Sequence, residues 1–96
     1  MRLVVLLTIR RDALEVARGY ERAAARIMAR HGGRIEHAYE ISIDETTLRE
    51  FHIVEFPDQA AFDAYQADPE RAAHAGDRAR AILATEVWRA ERLPDY

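Results

Sequence analysis

The sequence predicts an α+β fold, with helices packed on one face of a four-stranded antiparallel sheet in the order β-α-β-β-α-β. Three observations carry this reading. Residues 3–9, LVVLLTI, are a continuous apolar run with β-branched members, as in a strand covered on both faces. Residues 13–28 repeat apolar side chains with the 3.6-residue period of a helix that buries one stripe. Residues 34–43 and 47–56 are two strand-like runs separated by a short polar segment, the pattern of a hairpin.

In chain order, the first strand is followed by Asp12 and, three positions on, Glu15, which have the spacing of a capping box. The predicted helix buries Ala13, Val16, Ala17, Tyr20, Ala24, Ile27 and Met28, while Arg18, Arg22, Arg26 and Arg30 recur every four residues as a solvated ridge interrupted by Glu15 and Glu21. Gly32 and Gly33 end it, because glycine accepts the left-handed conformation past a helix terminus. In the second strand Ile35, His37, Tyr39, Ile41 and Ile43 alternate with Glu36, Glu40 and Ser42, which predicts two distinct faces. Asp44-Glu45-Thr46 suits a turn, and the third strand contains REFHIVEF at 49–56. Pro57 and Asp58 begin a helix over 58–67 that buries Ala61, Phe62 and Tyr65. Asp68-Pro69 opens another helical segment to about Ile82, with Asp68 as cap and Pro69 in the first turn. The last strand is 84–92, with Val87 and Trp88, and a tail follows. No linker or repeat divides the chain, so residues 1–96 are expected to form one domain in the ferredoxin-like arrangement.

Composition narrows the chemistry. All 14 basic residues are arginine, lysine and cysteine are absent, and Ser42 is the sole serine, in ISID. That excludes a lysine Schiff base, a lysine-bearing phosphate loop, a thiolate nucleophile and a serine elbow. Histidine, tyrosine, tryptophan, arginine and carboxylates remain. The lack of cysteine favours a cytoplasmic location. The N-terminal apolar run meets Arg10 and Arg11 too soon for a signal peptide, and nothing approaches the ~20 apolar residues of a membrane helix.

The first and third strands are apolar on both faces, whereas helices cover one. A domain of this size buries only about 60–65% of its unfolded surface. A second copy of the chain, sheet against sheet, is the expected cover, which makes the predicted partner a homodimer.

The stretch FHIVEFPDQAAFDAYQADPE resembles the small proteins of the dimeric α/β-barrel superfamily, whose domain-of-unknown-function families show a similar strand ending in Phe-Pro, then an Ala-Ala-Phe helix, then Asp-Pro. Its antibiotic-biosynthesis-monooxygenase-like members have an aromatic residue followed nine positions later by histidine; Tyr65 and His74 have that spacing, with Tyr where Trp is commoner. The order of elements matches over nearly the whole chain. The resemblance implies a dimeric α/β barrel acting as a cofactor-independent monooxygenase-like or isomerase-like enzyme on a small aromatic or enolisable molecule. The same fold also serves non-catalytic ligand-binding or assembly domains, which is the alternative.

Three site readings follow. REFHIVEF matches an RNA-recognition strand at Arg49, Phe51, Val54 and Phe56 but has Glu50 and His52 where small residues are needed and Ile53 for the central aromatic. With a net charge of −3, nucleic acid is not expected as a partner. A polar cluster inside the barrel is the second reading: His52 and His74 as candidate bases, with Tyr39, Tyr65, Trp88 and His37 holding a flat ligand. A two- or four-residue turn puts Tyr39 opposite His52 on one face; a three-residue turn sends His52 to the other. Third, His37, His52 and His74 could form a three-imidazole site, but no tight ligand pair supports it and no metal is assigned. Glu36, Glu40 and Glu50 are expected on solvated strand faces.

Overall fold

The computed structural model describes residues 1–95. Strand β1 (Arg2–Arg10) passes through a 3₁₀ turn (Arg11–Ala13) into α1 (Leu14–Arg30); β2 (Arg34–Ser42) and β3 (Thr47–Glu55) follow, then α2 (Gln59–Gln66), α3 (Pro69–Ala73), α4 (Ala75–Ala81) and β4 (Ile82–Ala90). The strands form one antiparallel sheet in the order β2-β3-β1-β4, which is the ferredoxin-like topology.

Pairing assigns every strand residue to a face. Leu3, Val5, Leu7 and Ile9 of β1 lie opposite Val54, His52, Glu50 and Leu48 of β3, and these two rows point towards the helices. Val4 and Leu6 lie opposite Ile53 and Phe51 and point away. The covered side buries Ile9 and Leu48 against Ala17, Tyr20 and Ala24 of α1 at one end. At the other end it buries Leu3, Val54 and Phe56 against Ile27 and Tyr65. Phe56 meets Phe62 edge-on at 5.3 Å and Tyr65 at 5.5 Å between ring centres.

The start of α1 differs from the expected capping box. Asp12 takes two hydrogen bonds from Arg10, at 3.1 and 3.0 Å, and the helix begins at Ala13 without a side-chain cap. The 3₁₀ turn has already redirected the chain. Nor do the α1 arginines form one solvated ridge: Arg18 turns in towards the sheet, while Arg26 reaches Glu70 at 2.6 Å and Arg30 reaches Asp68 at 3.3 Å. The helix ends as expected. Gly32 has φ 74°, and the Gly33 amide donates to Met28 O at 2.8 Å. A Cβ on Gly33 would enter the Phe56 ring, so the chain passes here only because that position is glycine.

The hairpin has a three-residue turn. Asp44 accepts from the amides of Thr46 and Thr47 at 2.9 and 2.8 Å and from both hydroxyls, and these four bonds hold its carboxyl down at about 2. The resulting register pairs Tyr39 with Phe51 and Ala38 with His52, so Tyr39 and His52 lie on opposite faces. Strand β2 is not in one phase: between Ile35 and His37 the ladder slips, with Ile35 paired to Val54 and His37 to Ile53. Glu36 is the extra residue of a bulge. Ile35 therefore belongs to the covered face, whereas His37, Tyr39 and Ile41 belong to the open one, a correction to the unbroken alternation read from sequence.

Asp58 caps α2 through the Ala61 amide at 2.8 Å, and Asp68 caps α3 through the Glu70 amide at 2.8 Å. The expected single segment from 69 to about 82 is broken at His74 (φ −93°, ψ 7°) into α3 and α4. Strand β4 starts two residues earlier than expected, because buried Ile82 already pairs with Ile9.

Candidate active site

Two consecutive same-face positions of β3 carry polar side chains into the interior: Glu50 is 3% exposed and His52 4%. Their neighbours along that face, Leu48 and Val54, are apolar and buried, so burial is imposed by the strand and must be compensated locally. His52 Nε2 lies 2.8 Å from Glu50 Oε1 and 3.5 Å from Glu21 Oε2 on α1. Arg18, one turn before Glu21, pairs with Glu21 at 3.0 Å, Glu40 at 2.8 Å and Glu50. Thus α1 supplies a carboxylate and a guanidinium to a charge cluster whose other members come from β2 and β3. The expectation that Glu50 lies on a solvated face is overturned, because even-numbered β3 residues face the helices.

Beside this cluster lies a cavity of about 90 Å³ between the sheet and the helices. Leu3, Val5, Leu7 and Val54 form its sheet side, with Met28 and Phe62 above. Its polar groups are His52 and Glu21 at the β3 side, Tyr20 and Tyr65, and Gln66, Arg71, Arg78 and Thr85 nearer solvent. Burial pushes the Tyr65 phenol up, with Arg71 beside it acting in the opposite sense, so Tyr65 is a proton-bearing donor at neutral pH. The Arg71 guanidinium sits 5.1 Å from the centre of the Tyr65 ring.

The chemistry available is proton abstraction. When Nε2–H donates to Glu50, Nδ1 is the lone-pair nitrogen, and among the described residues it makes no hydrogen bond. Glu50 fixes that tautomer and faces the charge that develops when Nδ1 takes a proton; Arg18 in turn holds Glu50. One atom each of Glu21, Glu50 and His52 lies within 4.8 Å of the others, a set able to hold a divalent cation. Arg18 pairs with both carboxylates, so in this cluster one positive charge faces two negative ones beside His52.

The structure divides the sequence-predicted residues. His52 and Tyr65 line the same cavity. His74 is half-buried at the α3–α4 break and is not part of the cavity wall, despite its spacing from Tyr65. His37, Tyr39 and Trp88 are on the open face: Trp88 pairs with Val4 and is 51% exposed, Tyr39 is 60% exposed, and the His37 and Tyr39 rings stack at 6.4 Å. The three-residue turn puts His37 and Tyr39 on the face opposite His52, so the three-imidazole site does not assemble. The sequence reading puts Glu50, Arg18 and Glu21 on solvated surfaces and assigns no role to Arg71 or Arg78. The signal for Glu50 was present: positions 48, 50, 52, 54 and 56 alternate, and two polar residues interrupt an otherwise apolar face.

No protein-family model matches the chain, and no curated protein does. Solved structures do. A protein of unknown function from Rhodopseudomonas palustris superposes with TM-score 0.73 at 19% identity, covering 97% of this chain and 84% of that one. SnoaB of Streptomyces nogalater, a cofactor-independent oxygenase, gives TM-score 0.66 at 15% identity, covering 96% and 94%. An antibiotic biosynthesis monooxygenase candidate from Nitrosomonas europaea gives 0.65 at 11%, covering 94% and 98%. At these identities the likeness establishes the fold, and function has to be argued from the cavity.

Proposed function

We propose that this protein is a cofactor-independent oxygenase-like or isomerase-like enzyme acting on a small enolisable or phenolic molecule in the cavity between sheet and helices. The observation that carries the reading is His52, an imidazole held by a buried carboxylate at the wall of an apolar cavity. Nδ1 takes the substrate proton, and the resulting oxyanion is met by the Tyr65 hydroxyl. An enolate or phenolate so formed is electron-rich enough to react with dioxygen, or to be reprotonated at another carbon. SnoaB, which shares the fold, performs oxygenation without a cofactor, and that supports the first outcome. His74 takes no part in this scheme.

The proposed assembly is a homodimer through the open face. Val4, Leu6, Phe51 and Ile53 form its centre with Trp88 and Tyr39 beside them, while Arg2 with Glu36 and Arg49 with Glu86 supply polar margins. The alternative, a dimeric binding domain without catalysis, is separated by experiment. Oxygen uptake and product formation are measured with small phenols, quinols and enolisable carbonyls. His52→Gln should abolish turnover of any active compound while leaving melting temperature within a few degrees, and His74→Ala should leave turnover near wild type. Turnover that survives His52→Gln would defeat the assignment.

A further inference from the structure

We infer that the solvent side of the cavity is a carboxylate-binding subsite, so that the molecule taken, on the reading of this cavity as an active site, is a small organic acid whose reacting C–H or O–H points inward to His52.

The inference starts from two arginines. Around the helices Arg18 meets Glu21, Glu40 and Glu50, Arg26 meets Glu70, Arg30 meets Asp68 and Arg80 meets Asp77, while Arg22, exposed on α1, has no acid partner among the described residues and does not line the cavity. Arg71 and Arg78, which line the cavity, have no acid partner among the described residues. Arg78 donates to Thr85 Oγ1 at 3.0 Å, which fixes its guanidinium against β4. Arg71 lies over the Tyr65 ring, and its Nε is shielded from solvent with no hydrogen-bond acceptor. A shielded donor left unpaired is costly, and a ligand oxygen would relieve that cost. Two guanidinium groups with N–H forks near one opening suit a planar carboxylate.

The opposite end of the cavity fixes orientation. Glu21 and Glu50 flank His52, so an anion is repelled there and attracted to the arginine side. The row Thr85–Leu7–Glu50 crosses from β4 over β1 to β3, two strand spacings, or about 10 Å. With about 90 Å³ of interior, the body of the ligand is limited to a short branched chain or one ring that partly protrudes. A dry cavity that encloses benzene is nearer 150 Å³.

The test compares acids with their methyl esters. Dissociation constants are measured calorimetrically for acetoacetate, benzoate and gentisate (2,5-dihydroxybenzoate) and for each methyl ester. The acids that bind should do so at least tenfold more tightly than their esters, with an advantage that shrinks as salt rises. Arg71→Gln and Arg78→Gln should each weaken acid binding about tenfold and leave ester binding unchanged, with melting curves confirming a folded protein. Arg71→Lys, which keeps charge and loses the fork, should fall between. His52→Gln should leave acid binding within about twofold, so an acid preference without turnover in any protein keeps this subsite and discards the catalytic reading. Equal affinity for acid and ester, an acid preference that persists in both glutamine variants, or no binding by any of the three acids overturns the inference.

Discussion

The two faces of the sheet invert the usual division of residue types. The helix-covered face carries Glu50 and His52 in its middle, while the open face carries Val4, Leu6, Phe51, Ile53 and Trp88. The covered face could have been apolar throughout; instead two ionisable groups are kept inside, with Arg18 and Glu21 recruited from α1 to hold them. On the open face no element among the described residues covers the apolar rows. Polar groups retained in a core at the edge of a cavity are a sign of chemistry, whereas apolar groups left outside are a sign of assembly. Adjacent residues on one strand can therefore answer to different demands.

Leu6 and Leu7 test this most severely. Leu7→Asp places an unpaired charge in the covered core and should prevent folding, seen as loss of the far-ultraviolet helix signal. Leu6→Asp should leave that signal intact and, on the proposed assembly, give a monomer by light scattering where the wild type gives a dimer. If both variants behave alike, the faces are not distinct. A less severe pair is Phe56→Ala and Phe51→Ala. Phe56 is in the aromatic cluster, so its loss should cost about 3–5 kcal/mol in urea unfolding. Phe51→Ala should cost clearly less at concentrations low enough to dissociate the proposed dimer, and more where that dimer would be populated.

Asp58→Ala removes the α2 cap and should cost about 1 kcal/mol without altering assembly. The smallest effect is acid sensitivity of the hairpin turn. Asp44 titrates at about 2 in the folded protein, below its ordinary 3.8. The stabilisation it gives is therefore complete above its ordinary value and is lost as pH falls through about 2. Hydrogen exchange at the Thr46 and Thr47 amides should accelerate over that interval before the covered core responds. Unchanged exchange would mean that Asp44 does not hold the turn.

The fold was legible because its signals are periodic. The 3.6-residue stripe of α1, the Gly32-Gly33 stop and the Asp58 and Asp68 caps depend on residues within a turn or two of one another. The site was less legible because it depends on parity between strands. One residue more or fewer in the hairpin turn decides whether His52 faces Tyr39 or Arg18, and both turn lengths suit Asp44-Glu45-Thr46. The nine-residue spacing of Tyr65 and His74 came from the family resemblance and carried no direction; the two residues lie on different helical segments, Tyr65 in the cavity wall and His74 outside it. Arg71 and Arg78 gave no sequence signal, since an arginine without an acid partner can be recognised only once every neighbour has been placed.

The bulge at Glu36 sets where β2 can change length. Because Glu36 stands outside the ladder, deleting it would restore a regular strand with Ile35 still inward and His37 and Tyr39 still outward, at the loss of the ion pairs to Arg2 and Arg34. Deleting Ala38, two positions later, would shift everything beyond it by one and drive Tyr39 into the interior beside His52. The strand has one position where a residue can be lost without exchanging its two surfaces, and a residue-by-residue alignment of distant relatives that puts the gap elsewhere will match outward side chains to inward ones.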